Sequence, residues 1–120
     1  MREVANQLTT RLFGERLRQI RESKGLSVRE AASLASMSHT ALDRYELGKV
    51  LPSKDARRVI AIALSVSIDD LNEILFECQA LALLRSSGNL SSSSVDQIMR
   101  YIRFAREEDR KARRGKGQGE

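Results

Sequence analysis

The chain has 120 residues, of which 41% are hydrophobic, only 4% are aromatic and one is proline. That is length for one compact domain with an appendage, and a core of Leu, Ile, Val and Ala suits packed helices better than a sheet sandwich. A net charge of +5 points toward polyanions; the lone Cys78 excludes a disulfide framework, and no apolar run approaches the roughly 20 residues of a membrane span.

In chain order, residues 10–24 read as a first helix, with Phe13, Leu17 and Ile20 on one face and Gly25 as its stop. Residues 1–9 read as loose, or as an extension of that helix through Val4 and Leu8. Ser27 and Glu30 make a capping box for a short helix over 28–35, lined by the small residues Ala31, Ala32 and Ala35. Ser36-Met37-Ser38 breaks the pattern, and Ser38 caps a third helix over 39–46. Leu42 and Tyr45 form its apolar edge; His39, Thr40, Asp43 and Arg44 point elsewhere. Gly48 ends it and 49–52 form a turn.

Ser53 caps a fourth helix over 54–64, with Val59, Ile60, Ala63 and Leu64 inward. Ser67 caps a fifth, with Asp69 and Asp70 at its positive end. Its stripe of Leu71, Ile74, Leu75, Cys78, Leu81 and Ala82 is longer than a five-helix core needs. Residues 86–94 read as a flexible Ser-rich linker. Ser94 and Gln97 look like a second capping box, opening a last helix to residue 113 with Val95, Ile98, Met99 and Ile102 on one face. Residues 114–120 form a basic, Gly-rich tail that reads as disordered.

Two short helices joined by a tight turn make a helix-turn-helix unit. A helix fits a B-DNA major groove when another helix holds it from behind and its outer face can hydrogen-bond. The face of His39, Thr40, Asp43 and Arg44 offers that chemistry. Arg44 suits bidentate pairing with guanine, and Thr40 suits a thymine methyl or a phosphate. Asp43 suits cytosine N4 or an ion pair with an arginine; Arg29 suits a phosphate or plain solvation. His39 is the only histidine, so it has no partners for a metal site and reads as a DNA contact or a surface group.

The segments "RLRQIRESKGLS", "REAASLASMSHTALDRYELGKVLPS" and "VIAIALSVSIDDL" together resemble the lambda-repressor-like helix-turn-helix family, which includes phage repressors and Cro. The resemblance covers residues 12–71, about half the chain. It implies that Ala32 is the small residue where the motif helices touch, that Leu42 is buried, and that Arg21 and Glu46 form a structural ion pair. It places Ser38, His39, Thr40, Asp43 and Arg44 against DNA, with Lys49, Ser53 and Lys54 in a loop beside phosphates. Val28 stands where the family often has Gln, and Ser36 where it often has Gly; the latter predicts a slightly different turn.

The expected architecture is therefore all-α: a five-helix DNA-binding domain over 10–76, then a C-terminal helical oligomerisation appendage over 77–113. Leu81, Leu84, Val95, Ile98, Met99 and Ile102 are its expected dimer interface. The expected function is a cytoplasmic, nucleoid-associated transcriptional regulator, a repressor that binds a pseudo-palindromic operator in double-stranded DNA as a homodimer. No cofactor is implied, and no catalytic constellation is legible. Two alternatives remain: an antitoxin whose C-terminal helices also clamp a toxin, or a protein-interaction module with a degenerate motif. An antirepressor is a further candidate partner for those helices.

Overall fold

The computed structural model describes residues 2–118, with side chains through residue 114. Six helices follow one another: α1 (Arg2–Ser23), α2 (Val28–Leu34), α3 (His39–Glu46), α4 (Lys54–Ala63), α5 (Ile68–Ser86) and α6 (Ser92–Gln118). The described residues contain no strand.

Serine opens five of these helices. The hydroxyls of Ser27, Ser38, Ser53 and Ser67 accept from the amides of Glu30, Ala41, Ala56 and Asp70. Each satisfies a donor that has no partner inside its helix. Glu30 completes a capping box by accepting from the Ser27 amide, and that bond holds its carboxyl below the usual range. The sixth helix also has its serine, but not the expected one. Ser91 accepts from the Ser94 amide, so α6 begins at Ser92 and Ser94 lies inside its first turn. The linker shrinks to residues 87–91.

The helix ends are equally uniform. After α1, α2, α3 and α4, Gly25, Ser36, Gly48 and Ser65 take positive φ. The amides of Leu26, Met37, Lys49 and Val66 reach back to the carbonyls of Arg21, Ala32, Arg44 and Ala61. This is the Schellman arrangement, which satisfies the last carbonyls and folds an apolar residue back onto the helix in three of the four cases. Ser36, with φ of 55°, adopts the left-handed conformation itself, so the turn is not altered by the absence of glycine.

Phe13 and Leu17 of α1 sit at the centre of the core, with Ala31, Ala32, Leu42, Ile60, Ala61, Leu71, Leu75 and Cys78 around them. Val59, expected inside, is exposed; Ala61 takes the inward place. Burial pushes the Cys78 thiol up to about 11, which keeps it protonated and inert.

The start of the first helix moves, and the reason lies in α5. Helix α1 begins at Arg2, two turns before residue 10, and packs along α5. Ala5 and Thr9 on the extension and Ala82 on α5 are buried. The long stripe of α5 thus finds its partner within the chain. Residue 76, the expected domain boundary, falls in the middle of a continuous helix.

Helix α6 folds back on the outer side of α5. Glu73 pairs with Arg106, and Glu77 with Arg103 at 3.6 Å. The Arg106 hydrogen bonds hold the Glu73 carboxyl below the usual carboxylate range. Val95 and Met99 are buried within the chain, while Leu81, Leu84, Ile98 and Ile102 are half-buried in the same hairpin. The expected dimer interface is corrected accordingly: Val95 and Met99 join α6 to the protein's own α5. Helix α6 also continues to Gln118, five residues past its expected end, so the expected disordered tail is helical that far; residues 119–120 lie outside the described residues.

Helix α1 crosses the end of α3 at Gly14. A Cβ there would lie 2.4 Å from the Tyr45 carbonyl oxygen and 2.7 Å from that of Glu46. These are backbone atoms and cannot swing aside. Gly14→Ala should therefore cost about 3 kcal/mol, at the upper end of typical overpacking penalties. Gly25→Ala, which meets nothing within 4 Å but has φ of +70°, should cost only about 1–2 kcal/mol. Urea denaturation of the two variants beside the parent chain checks the order.

Candidate nucleic-acid interface

Helix α3 is only eight residues long, too short to persist alone in water. Its place is fixed from three sides. The buried Leu42 anchors it in the core. The tight turn at Ser36 docks it on α2, whose Ala31, Ala32 and Ala35 allow a close approach. The third anchor is an ion pair. Arg21 of α1 donates through Nε and Nη2 to the two carboxylate oxygens of Glu46, at 2.7 and 2.9 Å. Its Nη1 donates to the Leu26 carbonyl at 2.8 Å, so one guanidinium joins α1, the α1–α2 turn and the end of α3.

The side chains of Arg21 and Glu46 are only 11% and 5% exposed. The hydrogen bonds from Arg21 to Glu46 raise the guanidinium pKa further, against the opposing effect of burial. The Arg21 guanidinium therefore stays charged across the ordinary pH range.

With that edge held inward, the opposite face is free. Arg29, Ser38, His39, Thr40, Asp43, Arg44, Lys49, Ser53 and Lys54 are all exposed. Ser38, Thr40 and Arg44 come together along one groove and Lys49 lines the next, whereas Arg29 stands on α2 and Ser53 and Lys54 at the start of α4. Ser38 and Ser53 have a double use, since their oxygens already cap α3 and α4 while each O–H remains able to donate. Asp43 makes no ion pair within 4 Å among the described residues, contrary to the arginine partner considered for it; it acts on Arg21 only through its field.

Two surface grooves meet on this face. Ser38, Thr40, Ala41, Arg44, Tyr45 and Val50 line one; Gln7, Thr10, Arg11, Gly48, Lys49 and Val50 line the other. Val50 is common to both, and neither is lined by a carboxylate. The grooves along α5 and α6 differ, with Asp69, Asp70 and Glu73 in one and Asp96 in another. A Cβ on Gly48 would lie 2.7 Å from the Arg11 Cα, so the loop after α3 and the extension of α1 are in close contact. Gln7, Thr10 and Arg11 are thereby brought beside Lys49. Sequence reading placed Thr10 and Arg11 on the first helix and weighed an extension of it through Val4 and Leu8, but no local signal links that helix to the loop at Lys49.

A small helix, held from behind by a second and presenting polar side chains at its projecting end, is the geometry of a helix-turn-helix DNA-binding unit. The model of a family described as "Helix-turn-helix domain" matches residues 12–74, more than half of the chain, and the chain belongs to that family. It is 29% identical over 101 residues to the SPbeta prophage-derived uncharacterized HTH-type transcriptional regulator YonR of Bacillus subtilis (strain 168), covering 76% of this chain and 93% of that protein. It is 36% identical over 90 residues to the HTH-type transcriptional activator BcrR of Enterococcus faecalis, covering 75% of this chain and 41% of that protein. The chain thus spans less than half of the second relative's length. No solved structure matches it. No described helix is long and apolar enough to cross a membrane.

Removing one partner of a buried ion pair leaves the other charge uncompensated. Arg21→Met and Glu46→Leu should each destabilise the fold by about 3–5 kcal/mol. The double variant should recover much of that loss, because an apolar pair strands no charge. Thermal unfolding of the two single variants and the double variant measures the coupling directly.

Proposed function

We propose that the chain is a sequence-specific DNA-binding transcriptional regulator that acts as a repressor. It binds a pseudo-palindromic operator as a homodimer, with α3 of each copy in successive major grooves. The observation that carries this reading is the outer face of α3: His39, Thr40, Asp43 and Arg44 are exposed on a helix whose other edge is anchored by Leu42 and Glu46. The family membership and the names of both relatives support a DNA-binding transcriptional regulator.

The roles follow from chemistry and place. Arg44 reads guanine through paired donors, and Thr40 packs on a thymine methyl. Ser38 and His39, at the start of α3, contact the DNA edge nearest the helix N-terminus. Asp43 accepts from cytosine N4, a contact available because no arginine among the described residues pairs with it. Arg29, Lys49, Ser53 and Lys54 bind phosphates on either side, and Arg11 extends the phosphate track through its groove with Lys49. One eight-residue helix reads few bases, so pairing two copies on a two-fold operator supplies the specificity. Activation is the second reading, favoured by the name of the Enterococcus faecalis relative. The position of the operator relative to the regulated promoter separates the two.

Binding-site selection from random duplexes, followed by gel shifts on the selected site, tests the reading. Arg44→Ala should weaken specific binding by about 10- to 100-fold, the worth of a good bidentate base contact, while the melting temperature stays unchanged. Lys49→Ala should weaken selected and scrambled duplexes alike and make binding less steeply dependent on salt, by about one unit in the log–log slope. Selection that returns no enriched sequence would remove the proposal.

A further inference from the structure

The α5–α6 hairpin has two unlike flanks. On one, Leu81, Arg85, Asp96, Met99, Arg100 and Arg103 line a groove with charged walls. Residues two apart on a helix point about 200° apart. Leu83 therefore points away from the side of Leu81, and Tyr101 away from the side of Arg103. Phe76 lies two turns before Leu83 on the same stripe of α5, and Phe104 lies one turn after Tyr101 on α6. All four are exposed: Phe76 to 40%, Leu83 to 63%, Tyr101 to 70% and Phe104 to 62%. The chain has only five Phe and Tyr residues in all, so three of its five aromatics face water on this hairpin. The Arg106 guanidinium lies 3.9 Å from the Phe76 ring centre and holds one edge of this surface in place.

We infer that Phe76, Leu83, Tyr101 and Phe104 form the surface through which two copies of this chain pair. The inference rests on the dimeric reading above and gives it an interface other than the one expected from sequence.

Area favours a second copy as the occupant. With about 150–250 Å² for a whole aromatic side chain, the four residues leave roughly 450 Å² of apolar surface in water. A standard interface covers about 800 Å² on each partner, a little over half of it apolar, so one copy supplies what its half requires. The neighbours on the same stripes are Asp69, Asn72 and Gln79 on α5 and Gln97, Arg100 and Glu108 on α6, all exposed, with acidic and basic groups interspersed. A two-fold axis sets the same patch against itself, with the aromatics of α6 over Phe76 and Leu83 of the partner.

Sedimentation equilibrium of the free full-length chain, from micromolar to hundreds of micromolar and without DNA, tests this. The parent chain should sediment as a dimer. Leu83→Glu and Tyr101→Glu should each weaken dimerisation on the order of a hundredfold or more, because each buries an unpaired carboxylate. Far-UV circular dichroism should be unchanged, since both side chains are mostly exposed. Arg85→Glu, on the charged flank, should remain dimeric. If either variant loses helicity, Phe104→Ser gives the same readout with a smaller change. A monomeric parent chain, or dimers that survive both Leu83→Glu and Phe104→Ser, overturns the inference. Because no DNA is present, that failure is distinct from failure of operator selection.

Discussion

The geometry of the DNA-facing surface depends on a single buried contact region, where α1 meets the end of α3. Three features coincide there: the forked Arg21–Glu46 pair, the missing side chain at Gly14 and the tight approach of Arg11 to Gly48. Each compensates for something α3 lacks. The helix is too short to be stable alone, and its outer face contributes nothing to the core. The carboxylate of Glu46 would be costly to bury without its partner, and the guanidinium would be equally costly. Together they fix both position and rotation of α3, because a fork meeting a carboxylate edge-on tolerates little misalignment. Which side chains face outward is thus decided mainly from the inside.

Much of this arrangement was legible in the sequence. The serine caps, the glycine stops and the 3.6-residue spacing of Phe13, Leu17 and Ile20 locate five helices, because these signals act within a few residues. Arg21 and Glu46 stand 25 residues apart, and only the family resemblance joined them. Long-range packing was harder to read. The first turns of α1 are polar enough to look loose, and Ala5 and Thr9 give a weak apolar signal, yet they are buried because α5 lies alongside. Ser91 and Ser94 both have capping chemistry, and local sequence does not decide between them. Ser36 shows the reverse case, in which the hydrogen bond from the Met37 amide to the Ala32 carbonyl holds a residue against its own preference for negative φ.

The C-terminal hairpin shows how an apolar stripe misleads about its partner. Val95, Ile98, Met99 and Ile102 form a clean amphipathic face, and a sequence cannot say whether such a face meets its own chain or another. Here it meets α5, clasped by Glu73–Arg106 and Glu77–Arg103. The aromatics left outside lie off the main stripe, where periodicity gives them less weight. Exposure rather than pattern singles them out.

Helix α5 belongs at once to the core that carries α3 and to the hairpin that carries the exposed aromatics. With 19 residues it is a rod about 28 Å long, without proline or glycine to bend it. Rigid rods convert angles into distances. A tilt of about five degrees at one end moves the other by roughly 2.5 Å over that length. In a pair of copies joined at the hairpin, the span between the two reading heads is therefore a lever-arm quantity. It is tuned by the hairpin's docking angle and tolerates little error against the about 34 Å repeat of the double helix.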